Sequence, residues 1–76
     1  MNNPPVVVVV KDSHTVRVLD AQTGNFIGEH RITSGEIVGS PLQSGNIVTI
    51  TCRESGMTWV KVYTLPQMGY VRHHTV

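Results

Sequence analysis

Two stretches of this 76-residue chain decide its fold: residues 14–32, HTVRVLDAQTGNFIGEHRI, and residues 58–76, TWVKVYTLPQMGYVRHHTV. A shift of 44 residues superimposes them without a gap. Arg17 falls on Lys61, and valine, aromatic and histidine positions also coincide. Self-similarity at a fixed period is typical of repeat architectures. We therefore predict a duplicated structural unit.

Both stretches alternate in the way that β-strands do. In the second stretch, Val60 and Val62 point to one face, whereas Trp59, Lys61 and Tyr63 point to the other. No segment of useful length has the apolar period of 3.6 residues that marks a helix. The sequence therefore predicts an all-β fold.

Gly, Pro, Ser and Asn divide the chain into short strands, and the short loops favour an antiparallel meander. Between two of the strands, Asp20 is expected to accept bonds from its own downstream backbone, and Gly24 to supply a positive φ. The run at residues 6–10 is apolar on both faces, which predicts a strand covered from two sides. Seven strands are predicted, at residues 5–10, 14–20, 25–32, 36–42, 46–52, 58–64 and 70–76.

Residues 16–20, the Thr23-Gly24 turn and Phe26-Ile27 resemble the third strand, tight turn and outer strand of a β-propeller blade of the WD40 or quinoprotein-like kind. The resemblance implies one all-β domain over residues 1–76, with a partial blade-like repeat at 5–32 and a complete one at 36–76. A propeller ring needs about four to eight blades. Three or four copies of the chain would complete it, so we expect a homo-oligomer. The alternative fold is a single small β-sandwich or barrel.

Composition excludes several classes of protein. The net charge is +1 without a basic cluster, which argues against a specific nucleic-acid partner. The apolar run at 6–10 is too short for a signal peptide or for a membrane span of about 20 residues. We expect no membrane partner and a cytoplasmic or virion-associated location. Cys52, the single cysteine, is predicted to be a small buried hydrophobe.

Patterns that carry catalysis or metal binding are not found. The sequence has no Gly-x-Ser-x-Gly elbow, and its acidic residues fall mostly at predicted turns. His73 and His74 are adjacent on a strand, so they point to opposite faces and cannot easily share a metal ion. We expect a protein that is not an enzyme and that holds no metal and no cofactor.

The aromatic residues give the one candidate binding site. Trp59 and Tyr63 share a strand face on either side of Lys61, a layout that could stack a small ligand or a carbohydrate. With Arg72 and His74 they form the predicted ligand-binding set. Packing between the two repeats is the other interpretation of these aromatic side chains.

Two functions follow as hypotheses. The first is a non-enzymatic structural module for protein–protein interaction, which works as a homo-oligomer among the other proteins of an assembly such as a phage virion. The alternative is a propeller-like module that binds a small ligand or a carbohydrate.

Overall fold

The computed structural model describes residues 5–32 and 34–76, in which no helix occurs. The predicted all-β class is thereby confirmed. The strand expected at 36–42 is divided in two, because Gly39 takes a φ of 73° and Pro41 has no N–H to donate. The strands are β1 (Val6–Asp12), β2 (Thr15–Asp20), β3 (Phe26–Arg31), β4 (Glu36–Ile37), β5 (Leu42–Ser44), β6 (Ile47–Glu54), β7 (Met57–Thr64) and β8 (Gly69–Thr75).

The strands form two antiparallel sheets. Sheet 1 has the order β1-β2-β3, and sheet 2 has the order β4-β6-β7-β8, with β5 also paired to β6. Over the described residues the sheets are not closed into a barrel. The same residues include no helix that is long and apolar enough to cross a membrane.

The turn between β2 and β3 has the predicted chemistry. Asp20 Oδ1 accepts bonds from the backbone N–H groups of Gln22 and Thr23, at 2.8 and 3.1 Å. Gly24 has a φ of 78° and donates its N–H to the Asp20 carbonyl oxygen at 2.7 Å. An aspartate that bonds its own downstream backbone and a glycine at positive φ together reverse the chain.

The β2–β3 and β7–β8 hairpins have the same register. Val16 pairs with His30, and Val60 pairs with His74. In each hairpin the pairing shifts by one residue directly after Val18 or Val62, two residues beyond that valine. The partner strand has one unpaired residue at this bulge, Ile27 in the first hairpin and Val71 in the second. The shift of 44 residues therefore relates both strands and the irregularity between them.

The core lies between the two sheets, which pack face to face. The buried side chains of the two sheets form one cluster, and Val62, at 3% exposure, is buried outside it on the other face of sheet 2. A fully buried aliphatic side chain contributes about 1.5–3 kcal/mol relative to an exposed one. The buried cluster contains Val8, Val16, Val18, Ile32, Ile37, Val48, Ile50, Cys52, Tyr63, Leu65 and Met68.

Among the described residues, strand β1 is covered on one face only. Val8 is 6% exposed on the core side, whereas Val7 and Val9 are 37% and 36% exposed on the other side. The expectation of cover from two sides is thus not met by residues 5–32 and 34–76, in which sheet 2 packs on the Val8 side of β1.

The outer edge of β1 is closed by one side chain. Gln43, on β5, accepts a hydrogen bond from the Val8 N–H at 2.8 Å and donates one to the Val6 carbonyl oxygen at 2.9 Å. Its carboxamide pairs with β1 as the backbone of a neighbouring strand would. An open strand edge can template pairing with another chain. Gln43 therefore blocks this part of the edge and also connects the two sheets.

We expect Gln43→Ala to lower the free energy of unfolding by about 1–2 kcal/mol, because two hydrogen bonds are lost. Urea denaturation measures this loss, and hydrogen exchange at the Val8 amide should become faster. Gln22→Ala, at an exposed turn position, is the matched control and should change neither. Unchanged exchange at Val8 in the Gln43 variant would contradict the proposed role of this side chain.

Candidate ligand cleft

Strand β7 presents three large side chains to the space between the sheets. Cys52 and Ile50, both 0% exposed, pair across the ladder with Trp59 and Lys61. Side chains of directly paired residues lie on the same face of a sheet. Trp59, Lys61 and Tyr63 therefore share one face, as their alternation predicts, and the structure shows that this face points toward sheet 1.

Strand β8 adds two more side chains to the same face. Tyr70 pairs with Tyr63, and His73 pairs with Lys61. Regular alternation would put residues 70 and 73 on opposite faces, but the bulge at Val71 shifts the alternation by one residue. The bulge thus brings Tyr70 and His73 together beside Lys61.

Five rings form a continuous row along this face. Successive centroid distances are 5.3 Å from Trp59 to His73, 5.7 Å from His73 to Tyr70, 5.9 Å from Tyr70 to Tyr63 and 5.1 Å from Tyr63 to His30 of sheet 1. Three of the four contacts are edge-to-face, the arrangement that aromatic quadrupoles favour. The Tyr70 hydroxyl is hydrogen-bonded to His73 Nδ1.

A cation lies in the cleft beside these rings. Lys61 Nζ donates to the carbonyl oxygen and the hydroxyl oxygen of Ser34, at 3.2 and 3.3 Å. Within residues 5–32 and 34–76, no carboxylate lies within 4.0 Å of this ammonium group. The cleft has a volume of about 290 Å³, and its lining residues are Ser34, Glu54, Trp59, Lys61, Tyr63, Tyr70 and His73.

Burial shifts the pKa of three groups in and near the cleft toward their neutral forms. It lowers the pKa of His30 and raises the pKa of Tyr63 and of Cys52. A thiol is nucleophilic only as the thiolate, so Cys52 is a poor nucleophile where it lies. The arrangement can hold a ligand through rings, the Lys61 ammonium, the Glu54 carboxylate and neutral hydrogen-bonding groups.

The structure separates the four predicted ligand-binding residues into two pairs. Trp59 and Tyr63 line the cleft. Arg72 and His74 lie on the opposite face of sheet 2, because they pair with Val62 and Val60. Strict alternation along β8 would place Arg72 and His74 on the same face as Tyr70. The extra residue at the bulge, Val71, turns both side chains to the opposite face.

Five residues that line the cleft are not in the predicted set: Ser34, Glu54, Lys61, Tyr70 and His73. Ser34 follows β3 in a connection whose path depends on how the sheets pack. From the sequence, His73 is excluded only as a metal ligand, because the adjacent His74 points to the opposite face. Its position opposite Lys61 in the hairpin register was the signal that could have identified it.

The described residues include no group of three or more His, Cys, Asp or Glu side chains that could hold a metal ion. Comparisons with protein-family models, with curated proteins and with solved structures gave no match. The propeller resemblance stays a prediction.

We expect His30 to make stability depend on pH. Its pKa is lowered in the folded state, so the unfolded chain takes up a proton more readily below about pH 6.5. The stability gained by burying neutral His30 is fully present above that pH and is lost as the pH falls toward the folded-state pKa. Urea midpoints should therefore fall less steeply between about pH 7.5 and 5 in His30→Gln than in the unchanged chain.

Asn46→Gln, in the exposed turn between β5 and β6, is the control, since it changes no titratable group. It should keep the slope of the unchanged chain. Parallel curves for His30→Gln and the unchanged chain would show that burial of His30 has no energetic consequence.

Proposed function

We propose that this chain is a non-enzymatic interaction module that works as a homo-oligomer and contacts other proteins of a larger assembly, such as a phage virion. The observation that supports it best is the set of large apolar side chains left open to water. Within this set, Val7 and Phe26 lie on either side of Leu19 in the ladder of sheet 1 and so form one patch. Contiguous exposed apolar patches typically mark sites of protein association. The exposed set is Val7, Val9, Val10, Phe26, Ile27, Val38, Leu42, Ile47, Met57, Tyr70, Val71 and Val76.

The size of the core supports the same proposal. A chain of this length buries only about 60% of its unfolded surface, so its stability is marginal without further help. Cys52 is the only cysteine, so an intrachain disulfide cannot supply that help. Oligomerisation is one of the remaining ways in which small domains become stable.

Two strands also lie at the edges of their sheets, without a neighbouring strand on one side. β3 is the last strand of sheet 1, and β8 is the last strand of sheet 2, in which every residue of β8 is exposed. Gln43 closes part of the edge of β1, and no comparable contact to the outer side of β8 occurs among the described residues. Open edges of this kind favour association with another chain.

Native mass spectrometry and light scattering at micromolar concentration should find a particle heavier than the 8.4 kDa chain. Mass action then requires the midpoint of thermal unfolding to rise with protein concentration. A well-folded 8.4 kDa particle whose midpoint does not change on dilution would contradict self-association.

The cleft supports a second candidate function, the binding of a small ligand or a carbohydrate. Aromatic rings bind the apolar face of a sugar or of another planar molecule, while a few polar groups fix its orientation. Lys61 has only the neutral acceptors of Ser34 among the described residues. Its ammonium is thus suited to a ligand that carries an acidic or strongly accepting group.

Trp59 reports on this function, because it lines the cleft and is the only tryptophan. Titration with neutral and acidic sugars should change its fluorescence, and Lys61→Met should weaken binding of the acidic ligand about tenfold, equivalent to ~1.4 kcal/mol. Arg17→Met, the corresponding position of sheet 1 outside the cleft, is the control and should bind normally. Fluorescence that responds to no ligand of the panel would exclude this function.

A further inference from the structure

The correspondence between the two sheets extends to a third strand. In sheet 1, Val7 pairs with Leu19, and in sheet 2, Val48 pairs with Tyr63. Leu19 and Tyr63 are related by the shift of 44 residues. Val9 opposite Arg17 corresponds in the same way to Ile50 opposite Lys61. Strands β1-β2-β3 therefore match β6-β7-β8 pair by pair from Val6 to Val10, after which β1 has a bulge that β6 lacks.

The matched sheets meet through opposite faces. Sheet 1 contributes the face that carries Val16 and Val18. In sheet 2 the corresponding face carries Val60 and Val62 and points away from sheet 1. Sheet 2 instead contributes the face of Tyr63, whose counterpart is the outer face of sheet 1. The internal contact is thus of the head-to-tail kind, in which two different surfaces meet.

Each chain consequently has, on its outside, a counterpart of each of the two faces that meet inside it. We call the outer face of sheet 1 surface A and the outer face of sheet 2 surface B. Val7 and Val9 of surface A are 37% and 36% exposed, whereas their counterparts Val48 and Ile50 are 0% exposed in the internal contact. Surface A also includes Arg17, Leu19, Phe26 and Glu29. Surface B includes Thr49, Thr51, Val60, Arg72 and His74, together with Val62, which is only 3% exposed within the single chain.

We propose that surface A of one copy packs on surface B of the next copy, and that this contact repeats the arrangement of the two sheets within the chain. The inference rests on the self-association proposed above and specifies its interface. The partner is a second copy, because the two faces that meet inside the chain are the counterparts of surfaces A and B. The Tyr63 face of sheet 2 corresponds to surface A, and the Val16 face of sheet 1 corresponds to surface B. Such a contact produces a ring where the rotation between copies closes, and a filament where it does not.

The proposed contact departs from the internal one at identifiable positions. The ring contact of His30 with Tyr63 becomes a contact of His74 with Leu19 of the next copy. Arg72 of sheet 2 corresponds to Gly28 of sheet 1. Inside the chain, Gly28 lines a small cleft together with residues 66–68, the turn before β8. Arg72 therefore extends toward the corresponding turn, residues 22–24, of the next copy. The interface is more polar on side B than the internal one is.

Two variants test the head-to-tail arrangement. Val9→Glu places a charge in the centre of surface A, and Thr51→Glu places one in the centre of surface B. Each variant alone should be a monomer in native mass spectrometry, because every contact needs one intact surface of each kind. An equimolar mixture should form a dimer of one copy of each variant and nothing larger, since only one pair of intact surfaces remains.

Asn46→Glu, in the exposed turn between β5 and β6, is the matched control and should assemble as the unchanged chain does. The dimer in the mixture also proves that both variants are folded. A mixture that stays monomeric, or a single variant that dimerises by itself, overturns the head-to-tail interface while an oligomeric unchanged chain keeps the proposed function. An unchanged chain that is monomeric at all concentrations removes both proposals.

Discussion

The contact between the inner faces of the two sheets is the interaction on which the rest of the structure depends. Val16 of sheet 1 and Val48 and Ile50 of sheet 2 are fully buried only because the sheets cover each other. A sheet of three strands is stable when its apolar face packs against another element. The same contact places His30 over Tyr63, completes the row of rings and sets the width of the cleft.

Features that depend on neighbouring residues could be predicted from the sequence. Alternation of side chains along β7 gave the face shared by Trp59 and Tyr63, since the two-residue period of a strand is fixed by its backbone. The turn at Asp20 followed from the ability of aspartate and glycine to reverse the chain locally. The pairing of β2 with β3 and of β7 with β8 followed from the short loops that join them.

Features that depend on pairing irregularities or on distant residues could not be predicted in this way. The bulge at Val71 reverses the direction of Arg72 and His74, and no residue type in that segment requires a bulge. The choice of which apolar face of each sheet is covered is a property of the packed pair. Both faces of β1 are valine-rich, so composition alone does not distinguish Val8 from Val9.

The amide of Gln43 has a wider consequence than the two bonds that it makes. Residues 6–10 are five consecutive valines, a segment of high β-propensity without charge, proline or glycine, which is the composition of cross-β fibrils. Growth of a fibril begins when such a segment recruits an identical strand along its free side. Gln43 occupies that side at Val6 and Val8 in the folded chain, so these backbone groups are not open to an incoming strand.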